Sequence, residues 1–504
     1  MELLNAALLI SSAAVFAVLW WVGKKPRKNL PPGPPGWPIV GNLFQIILQG
    51  RHFVFYAREL REKYGPIFTL KMGQRTLVVV SSSELMHEAL VQRGALFASR
   101  PPESPIRLIF SSGKCTINSA EYGPVWRSLR RNFVSELLTP ARIRQCGWIR
   151  KWAVENHMER VEKEGAAVGF VGVMSNCRLT ICSILICLCF GVKISEEDIK
   201  VLEAVLKDVV LMTMPKLPDF MPVLTPFFRR HVAAAKELRR RQLDCLVPLL
   251  RKRKDFVDGV GAREEMASPL GAAYIDSLFG LQVPGRGKLG EEEMVSLCSE
   301  AINGGTDTSA ATLEWALFHL VQNQDIQEKL FGEIVSVAGK NNDGVITETE
   351  VERMPYLEAV VKETLRKHPP IYFLLSHAAT QEMELGGYTI PADVNVEFYT
   401  GGISEDPEMW DNPTEFRPER FLTGDGVEVD ITGMRGVRML PFGAGRRICP
   451  AWTLGVLHVN LLLAKMVQAF KWLPSPEYPP SAAEIFAGTV VMKNSLRAII
   501  LPRS

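Results

Sequence analysis

The chain has 504 residues, of which 47% are hydrophobic and 22% are charged, and 58 lysines and arginines nearly balance 55 aspartates and glutamates. This composition argues against intrinsic disorder and against the strongly basic surface of a protein that binds nucleic acid. The 9 cysteines are too sparse for a disulfide scaffold, and their odd number leaves at least one thiol free. We therefore expect one large folded core in a reducing compartment.

The first element is an apolar segment from Leu3 to Val22, about the length of a helix that crosses a bilayer. Basic residues follow it from Lys24 to Lys28, and positive charge resists translocation, so the body of the protein should stay in the cytosol. The alternative is a cleaved signal peptide, which usually begins with a basic region that this segment lacks. We predict a membrane anchor over residues 1–23.

A proline-rich run from Pro31 to Pro38 follows the anchor. Proline has no backbone N–H donor and a fixed φ, so this run can be neither a helix nor a central strand. We predict a basic, proline-rich linker over residues 24–40 and a single domain over residues 41–504.

The domain has the pattern of long helices with a few short β-rich stretches, near residues 68–72, 76–80, 388–399 and 485–500. One helix should begin at the acidic turn Glu291–Glu293 and run to about Asn323, because no proline interrupts it. Two more should begin at Pro124 and Pro355, since proline suits the first turn of a helix. The sequence predicts a mainly α fold with small β-sheets.

Two residue clusters have a structural explanation. Four cysteines at positions 177, 182, 187 and 189 lie in an apolar run without the spacing of a zinc site, so we expect them in the core. A basic run from Arg229 to Arg253 is typical of a solvated helix face, and contact with anionic lipid headgroups is the alternative.

A glycine-rich turn, Phe442-Gly443-Ala444-Gly445-Arg446-Arg447-Ile448-Cys449, precedes a predicted helix from Trp452 to Val467. A thiolate on such a turn can approach a metal with little obstruction. Arg446, Arg447 and the N-terminus of the following helix should lower the pKa of the Cys449 thiol toward the thiolate form. Cys449 is therefore the candidate metal ligand.

The turn resembles the haem-binding loop of the cytochrome P450 family, the haem-thiolate monooxygenases. Four further motifs resemble that family in the same order along the chain, and they are Trp126-x-x-x-Arg130, Gly304-Gly305-Thr306-Asp307-Thr308, Glu363-x-x-Arg366 and Pro418-Glu419-Arg420-Phe421. One residue departs from the family pattern, because Ala451 stands where glycine is usual. The resemblance implies a cytochrome P450 fold preceded by one N-terminal transmembrane helix, with the catalytic domain over residues 41–504.

The resemblance also implies roles for single residues. Haem b would be the cofactor, with the Cys449 thiolate as its iron ligand, and such a ligand favours O–O cleavage over oxygen carriage. The other residues that the resemblance places at the haem are Trp126, Arg130, His377, Phe442 and Arg447. Asp307 and Thr308 would deliver protons to oxygen. Thr308 lies four residues after Gly304, so its hydroxyl can bond that carbonyl and open the helix locally.

Three buried charged residues should have a structural role by the same resemblance. Glu363 and Arg366 share one helix face, and Arg420 joins them, because a buried carboxylate has to be paired to be tolerated. We expect loss of any one of the three to abolish haem incorporation.

The family resemblance places the substrate against four segments of the chain. Their residues here are mostly apolar, and the predicted pocket residues are Ile106, Ala301, Gly305, Phe373, Leu374 and Val490. Such a lining suits a long alkyl guest that enters from the membrane. Arg107 and Lys114 are expected on a solvated loop, and a role as partner for a carboxylate head is the alternative.

The overall sequence of the chain resembles the plant subgroup that acts in-chain on fatty acids, by hydroxylation or epoxidation, in cutin formation. Oxidation of plant phenolics or terpenoids is the alternative substrate class. Two other hypotheses are a rearrangement of oxygenated lipids without a reductase and a haem sensor without catalysis.

No convincing nucleotide-binding fingerprint or flavin domain accompanies these motifs. The resemblance therefore implies that NADPH acts indirectly, through a membrane-bound flavoprotein reductase, and that the protein lies at the endoplasmic reticulum membrane. The candidate residues for docking the reductase are Arg127, Arg131, Arg435, Arg438 and Arg446.

Overall fold

The structure is a computed structural model that describes residues 10–15, 29–48, 52–259, 272–339, 346–392 and 394–503. Most of the predicted anchor, and the linker before residue 29, lie outside the described residues. Within those ranges, one helix, Val173–Phe190, is long and apolar enough to cross a membrane. It is 83% buried inside the protein, as expected for a core helix.

Helices make up most of the described chain. The α-helices in these ranges are α1 (Leu43–Leu48), α2 (Phe53–Tyr64), α3 (Ser83–His87), α4 (Pro105–Phe110), α5 (Pro124–Leu137), α6 (Pro140–Gln145), α7 (Gly147–Val168), α8 (Val173–Phe190), α9 (Glu196–Met212), α10 (Leu217–Phe220), α11 (Arg229–Val257), α12 (Tyr274–Leu278), α13 (Glu291–Gln322), α14 (Gln324–Ala338), α15 (Glu348–Val351), α16 (Pro355–Lys367) and α17 (Trp452–Ala469). The predicted helices at Pro124 and Pro355 are confirmed.

The strands are short and form small sheets. They are β1 (Ile67–Met72), β2 (Arg75–Val80), β3 (Val171–Gly172), β4 (Gln282–Val283), β5 (Gly287–Lys288), β6 (His377–Ala378), β7 (Met383–Leu385), β8 (Tyr388–Ile390), β9 (Asn395–Phe398), β10 (Phe470–Pro474), β11 (Glu484–Phe486), β12 (Val490–Met492) and β13 (Arg497–Pro502). The largest sheet has the order β1-β2-β9-β6, with β2 and β9 parallel. The mainly α fold with small sheets is therefore confirmed.

Helix α13 crosses the middle of the domain. Its 32 residues span about 48 Å, and it begins where the Glu293 carboxylate accepts a hydrogen bond from the Gly290 N–H at 2.9 Å. The prediction that it ends near Asn323 is confirmed, because its last helical residue is Gln322. Most of its side chains are buried, and it packs closely on α8.

The prediction for the cysteine cluster is confirmed, whereas the prediction for the basic run is partly wrong. The four cysteines of α8 are buried, as predicted for core residues. The solvated-face prediction for the basic run is wrong at two positions of α11. Arg239 is buried and donates to the Ser296 hydroxyl at 3.0 Å, and Arg253 is buried and paired with Asp276 at 2.6 Å. Hydrogen-bond partners on neighbouring helices make this burial of charge tolerable.

Candidate functional site

The glycine and threonine motif lies in the middle of α13. The Thr308 hydroxyl donates to the Gly304 carbonyl at 2.8 Å, which is the predicted bond. The helix nevertheless stays continuous through these residues, so the predicted local opening is not seen. A Cβ on Gly304 would meet open space. Gly304 and Thr308 therefore lie on the same face of α13, and this face is open at Gly304.

Asp307 points in a different direction from Thr308. It is only 8% exposed, and its carboxylate is ion-paired with Arg178 of α8, which also bonds Glu203 of α9 at 2.5 Å. Burial raises the pKa of the Asp307 carboxyl, and the charge of Arg178 opposes that shift. The acid next to Thr308 is thus buried and held by a cation on a neighbouring helix.

The cysteine turn is held by close backbone contacts. The Cys449 N–H donates to the Phe442 carbonyl at 2.8 Å, which closes the turn. Gly445 has a φ of +64°, and a Cβ there would lie 1.8 Å from the Leu90 carbonyl oxygen. Only glycine fits at this position, because the turn packs directly on the backbone of the 88–92 segment. Cys449 is therefore presented on a fixed turn immediately before α17.

The expected lowering of the Cys449 pKa is wrong for the protein as described. Burial raises the pKa of this thiol and outweighs the Ala451 N–H and the Arg130 charge, which both favour the thiolate. Arg447 is not among the groups that shift this pKa, and its guanidinium donates to the Ala98, Ile117 and Ala120 carbonyls. A positive metal ion is what would hold this sulfur as a thiolate.

Three guanidiniums gather near the turn. Arg447 donates to three backbone carbonyls, Arg100 donates to the Asn118, Leu375 and Ser376 carbonyls, and Arg130 donates to the Ile448 carbonyl at 2.7 Å. No carboxylate of the described residues lies within ion-pairing distance of any of the three. Burial, with the charges of Arg100 and Arg130, lowers the pKa of Arg447 to about 8. The cluster thus has no direct ion pair among the described residues, and the charges of Glu300 and Glu397 act on it from farther away.

Two other predicted residues border this cluster. Trp126 is buried, its indole N–H has no partner in the described part of the chain, and the Arg447 guanidinium lies 4.6 Å from its ring centre. His377 donates from Nδ1 to the Phe97 carbonyl at 2.7 Å, and burial lowers its pKa well below the usual value. A neutral His377 has no second N–H, so its predicted donor role requires proton uptake when an anion binds.

These features fit haem. Its two propionates supply the two negative charges and the acceptor oxygens that the arginines and the Trp126 N–H lack. Cys449 supplies a sulfur close enough to Arg130 for the arginine charge to act on it. The residues present therefore suit a haem with a cysteine ligand.

The predicted charged triad is a compact buried group. Arg366 donates to both Glu363 oxygens at 2.7 and 2.8 Å, and Arg420 donates to one of them at 3.1 Å. All three side chains are 0% exposed. Arg366 also donates to the Ser404 carbonyl, so the triad joins α16 to the segments that lead toward the cysteine turn.

The four predicted pocket segments are neighbours in the structure. Ile106 of α4 packs with Val209 of α9, and the Val490 N–H donates to the Pro370 carbonyl at 2.8 Å. Ala301 of α13 is half-buried against the main core. The leucine at 374 is buried, and its Cδ2 would lie 3.6 Å from a Cβ on Gly443 of the cysteine turn.

Two of the predicted pocket residues face elsewhere. A Cβ on Gly305 would lie 2.7 Å from Leu185 of α8, so Gly305 allows two helices to approach and Gly304 faces the open side. Phe373 stacks on Phe53 at 5.1 Å. It turns away because residue 373 pairs with residue 399 as extended backbone, in which successive side chains point to opposite sides.

Arg100 is the site residue that the sequence reasoning missed. Its partners lie 18 to 276 positions away in sequence, so spacing alone does not reveal it. The available signal was a lone arginine followed by Pro101-Pro102 just before α4.

Known proteins resemble this chain over most of its length. Residues 31–500 match the family described as Cytochrome P450. The chain is 34% identical to Cytochrome P450 89A9 of Arabidopsis thaliana over 522 residues, which covers 100% of both chains. It is 32% identical to Tabersonine 16-hydroxylase 1 of Catharanthus roseus, over 89% of this chain and 87% of the relative.

One solved structure shows the same fold. It is a zebra fish cytochrome P450 with progesterone, with a TM-score of 0.75 and 23% sequence identity, and the match covers 89% of this chain and 99% of that one.

Proposed function

The chain belongs to the cytochrome P450 family and is a monooxygenase of plant type. We propose that it oxidises a long-chain fatty acid in-chain, by hydroxylation or epoxidation, for cutin monomer synthesis. The observation that carries this proposal is the apolar cluster that α4 forms with α9 and α11, in which Ile106 and Ile109 are only half-buried. Ile106 and Ile109 of α4 pack there with Val205 and Val209 of α9. An apolar wall of this kind favours an alkyl chain over a polar guest.

We assign the predicted residues to the haem as follows. Cys449 ligates the iron through sulfur, and Arg447, Arg130 and the Trp126 N–H bind the propionates, together with Arg100. Phe442 holds the cysteine turn through its carbonyl, and His377 takes up a proton to serve as a further donor. When bound, the haem supplies the redox chemistry that activates dioxygen.

The other assigned residues act on protons and on folding. The Thr308 hydroxyl, on the open face of α13, passes a proton toward the reacting oxygen, and the buried Asp307 carboxyl resupplies it. Glu363, Arg366 and Arg420 keep the haem-binding segments in place by their mutual pairing.

Electrons come from NADPH through a flavoprotein reductase in this proposal. Four of the predicted docking arginines are exposed, namely Arg127, Arg131, Arg435 and Arg446, and two of them, Arg127 and Arg446, lie over the same Tyr122 ring. Arg438 is paired with Asp425 and lies over the Trp410 ring, so it contributes less to docking.

We also propose a single-pass anchor in the endoplasmic reticulum membrane, over residues 1–23, with a linker to residue 40 and a cytosolic catalytic domain from residue 41. Large apolar side chains are exposed around residues 37–48 and on the segment 217–227, where Phe227 is 84% exposed. The two regions meet at the β1–β2 turn, since the Gly73 N–H donates to the Val40 carbonyl and the Gln74 N–H to the Phe220 carbonyl. An exposed apolar surface next to an anchor suits contact with lipid.

The test is turnover with labelled oxygen. The full-length protein, reconstituted with a plant reductase and NADPH under ¹⁸O₂, is incubated separately with long-chain fatty acids, phenolics and terpenoids. We expect in-chain hydroxy or epoxy fatty acids that carry one labelled atom. Preferential oxidation of the phenolics or terpenoids would contradict the fatty-acid assignment. Products from a lipid hydroperoxide without NADPH would contradict the monooxygenase route.

A further inference from the structure

Two arginines lie near the pocket region, close enough for the charge of Arg107 to act on Arg75. Arg75 is the first residue of β2 and lies on the same sheet face as Leu77 and Val79, which belong to the cluster beneath the segment 220–224. Arg107 is exposed on α4, and its Nε donates to the Thr213 carbonyl at 3.1 Å. That bond leaves both terminal nitrogens of Arg107 available to another ligand.

The same stretch of chain holds both arginines in place. The β1–β2 turn, just before Arg75, docks on the segment that follows Thr213, because the Gln74 N–H donates to the Phe220 carbonyl at 2.9 Å. A Cβ on Gly73 would lie 2.5 Å from that carbonyl oxygen, so the turn is in direct contact with it. The β1–β2 turn and α4 therefore both contact residues 213–221.

Charged groups of both signs lie around Arg75. Neither Arg75 nor Arg107 has an ion-pair partner within 4.0 Å among the described residues. Burial lowers the pKa of Arg75, the Asp219 charge opposes that shift, and the weaker effects of Arg107 and Glu397 act in opposite directions. Lys114, the other cation suggested by the sequence, is paired with Glu121 at 2.6 Å. It is therefore less available than Arg107 to bind a carboxylate.

We propose that Arg75 and Arg107 together bind the carboxylate of the fatty-acid substrate, while its alkyl chain lies along the apolar side of α4. Ile106 and Ile109 stand beside Arg107 on α4 and pack toward α9, so a chain held by its head at the arginines would run over apolar side chains. This inference rests on the proposed function and adds how the substrate is oriented.

A third residue favours this orientation. Glu397 of β9 lies on the same sheet face as Arg75, since it is registered with Val79, and it is only 7% exposed. Its carboxyl accepts from the Ser376 hydroxyl at 3.0 Å. A substrate carboxylate that moved inward past the arginines would meet this acidic group, so the head is best placed at the outer edge.

The test compares one alkyl chain with and without its charge. The purified full-length holoenzyme is titrated with a long-chain fatty acid and with the methyl ester of the same acid, and binding is followed by the change in the haem absorbance spectrum. Arg75→Gln, Arg107→Gln and the conservative Arg75→Lys are compared with wild type. Arg240→Gln is the matched control, because Arg240 is an exposed arginine on α11 with acidic partners of its own.

We expect Arg75→Gln and Arg107→Gln each to weaken binding of the acid by about tenfold and to leave binding of the ester within about twofold. Arg75→Lys should restore part of the loss, and Arg240→Gln should behave as wild type. If acid and ester bind wild type equally, and neither glutamine variant changes this, the carboxylate site is refuted while the fatty-acid function stands. If neither lipid binds wild type, both proposals are wrong.

Discussion

Asp307 of α13 is ion-paired with Arg178 of α8, across the contact between the two most closely packed helices of the domain. Arg178 also bonds Glu203 of α9. The carboxyl next to Thr308 is therefore attached to a charged network that leads from the middle of α13 toward α9. Burial raises its pKa despite the neighbouring guanidinium, which suits a group that must both hold and release a proton.

Asp307→Asn should therefore slow NADPH-driven turnover by about 100-fold or more and leave haem incorporation intact, because the amide cannot relay a proton. Turnover rate and haem content are the measurements. Glu203→Gln is the matched control, since it removes the other acid on Arg178 and leaves the Asp307 carboxyl in place. Equal turnover of wild type and Asp307→Asn would remove Asp307 from the relay.

Thr308→Ala should leave haem bound and NADPH consumption active, but should divert electrons from product to hydrogen peroxide. The reason is the loss of the one hydroxyl on the open face of α13 next to Gly304. Product and peroxide formed per NADPH are measured together. Thr312→Ala is the control, because Thr312 makes the same bond to a carbonyl one turn later but is buried. Unchanged coupling in Thr308→Ala is the result that this account does not allow.

Glu363→Gln should prevent accumulation of haem-loaded protein. The change leaves Arg366 buried without a counter-charge and Arg420 with only the partly exposed Asp425, and breaking a buried pair in this way costs roughly 3–5 kcal/mol of folding free energy. Soluble yield and haem content per polypeptide are the measurements. Glu358→Gln on the same helix is the control, because Glu358 pairs with Lys362 on an exposed face. A Glu363→Gln protein with normal haem content would show that the triad is dispensable.

Buried histidines should make the protein sensitive to acid. Burial lowers the pKa of His157 to about 3, and its Nδ1 contacts the Thr180 hydroxyl at 2.8 Å. The unfolded chain takes up this proton below about pH 6.5 and the folded chain does not, so stability falls as the pH falls from about 6.5 toward 3. At pH 5 this one group lowers the free energy of unfolding by about 2 kcal/mol.

His157→Gln should therefore flatten the fall in the free energy of unfolding between pH 7 and pH 5, measured by denaturant titration at each pH. His87→Gln is the control, since the His87 ring makes its contacts with Gln92 and the Met434 carbonyl at the surface. An unchanged slope in His157→Gln would mean that His157 is charged in the folded protein.

The sequence predicted what depends on local pattern. Helix α13 follows from an acidic first turn and an uninterrupted run without proline, and the bond from Thr308 to Gly304 follows from helical spacing alone. The motif does not show which way Gly305 faces. That face packs against Leu185 of another helix, which only the fold reveals.

Long-range contacts and burial set the limit of prediction for charged groups. Arg100 was missed and the Cys449 pKa was expected to fall, because both depend on segments that only the fold brings together. Arg239 was expected on a solvated face, yet its partners are serines and a carbonyl from other segments. Charge patterns along the chain do not show which charges the core will enclose.

The most direct test of the account is the absorbance spectrum of the reduced protein after treatment with carbon monoxide. This spectrum reports whether a cysteine thiolate ligates haem iron. The wild-type protein should show the haem-thiolate carbonyl band, and so should Cys182→Ala, which removes a buried core cysteine. Cys449→Ala should lack the band completely. A Cys449→Ala protein that retains it would contradict the assignment of Cys449 as the iron ligand, on which the proposed function depends.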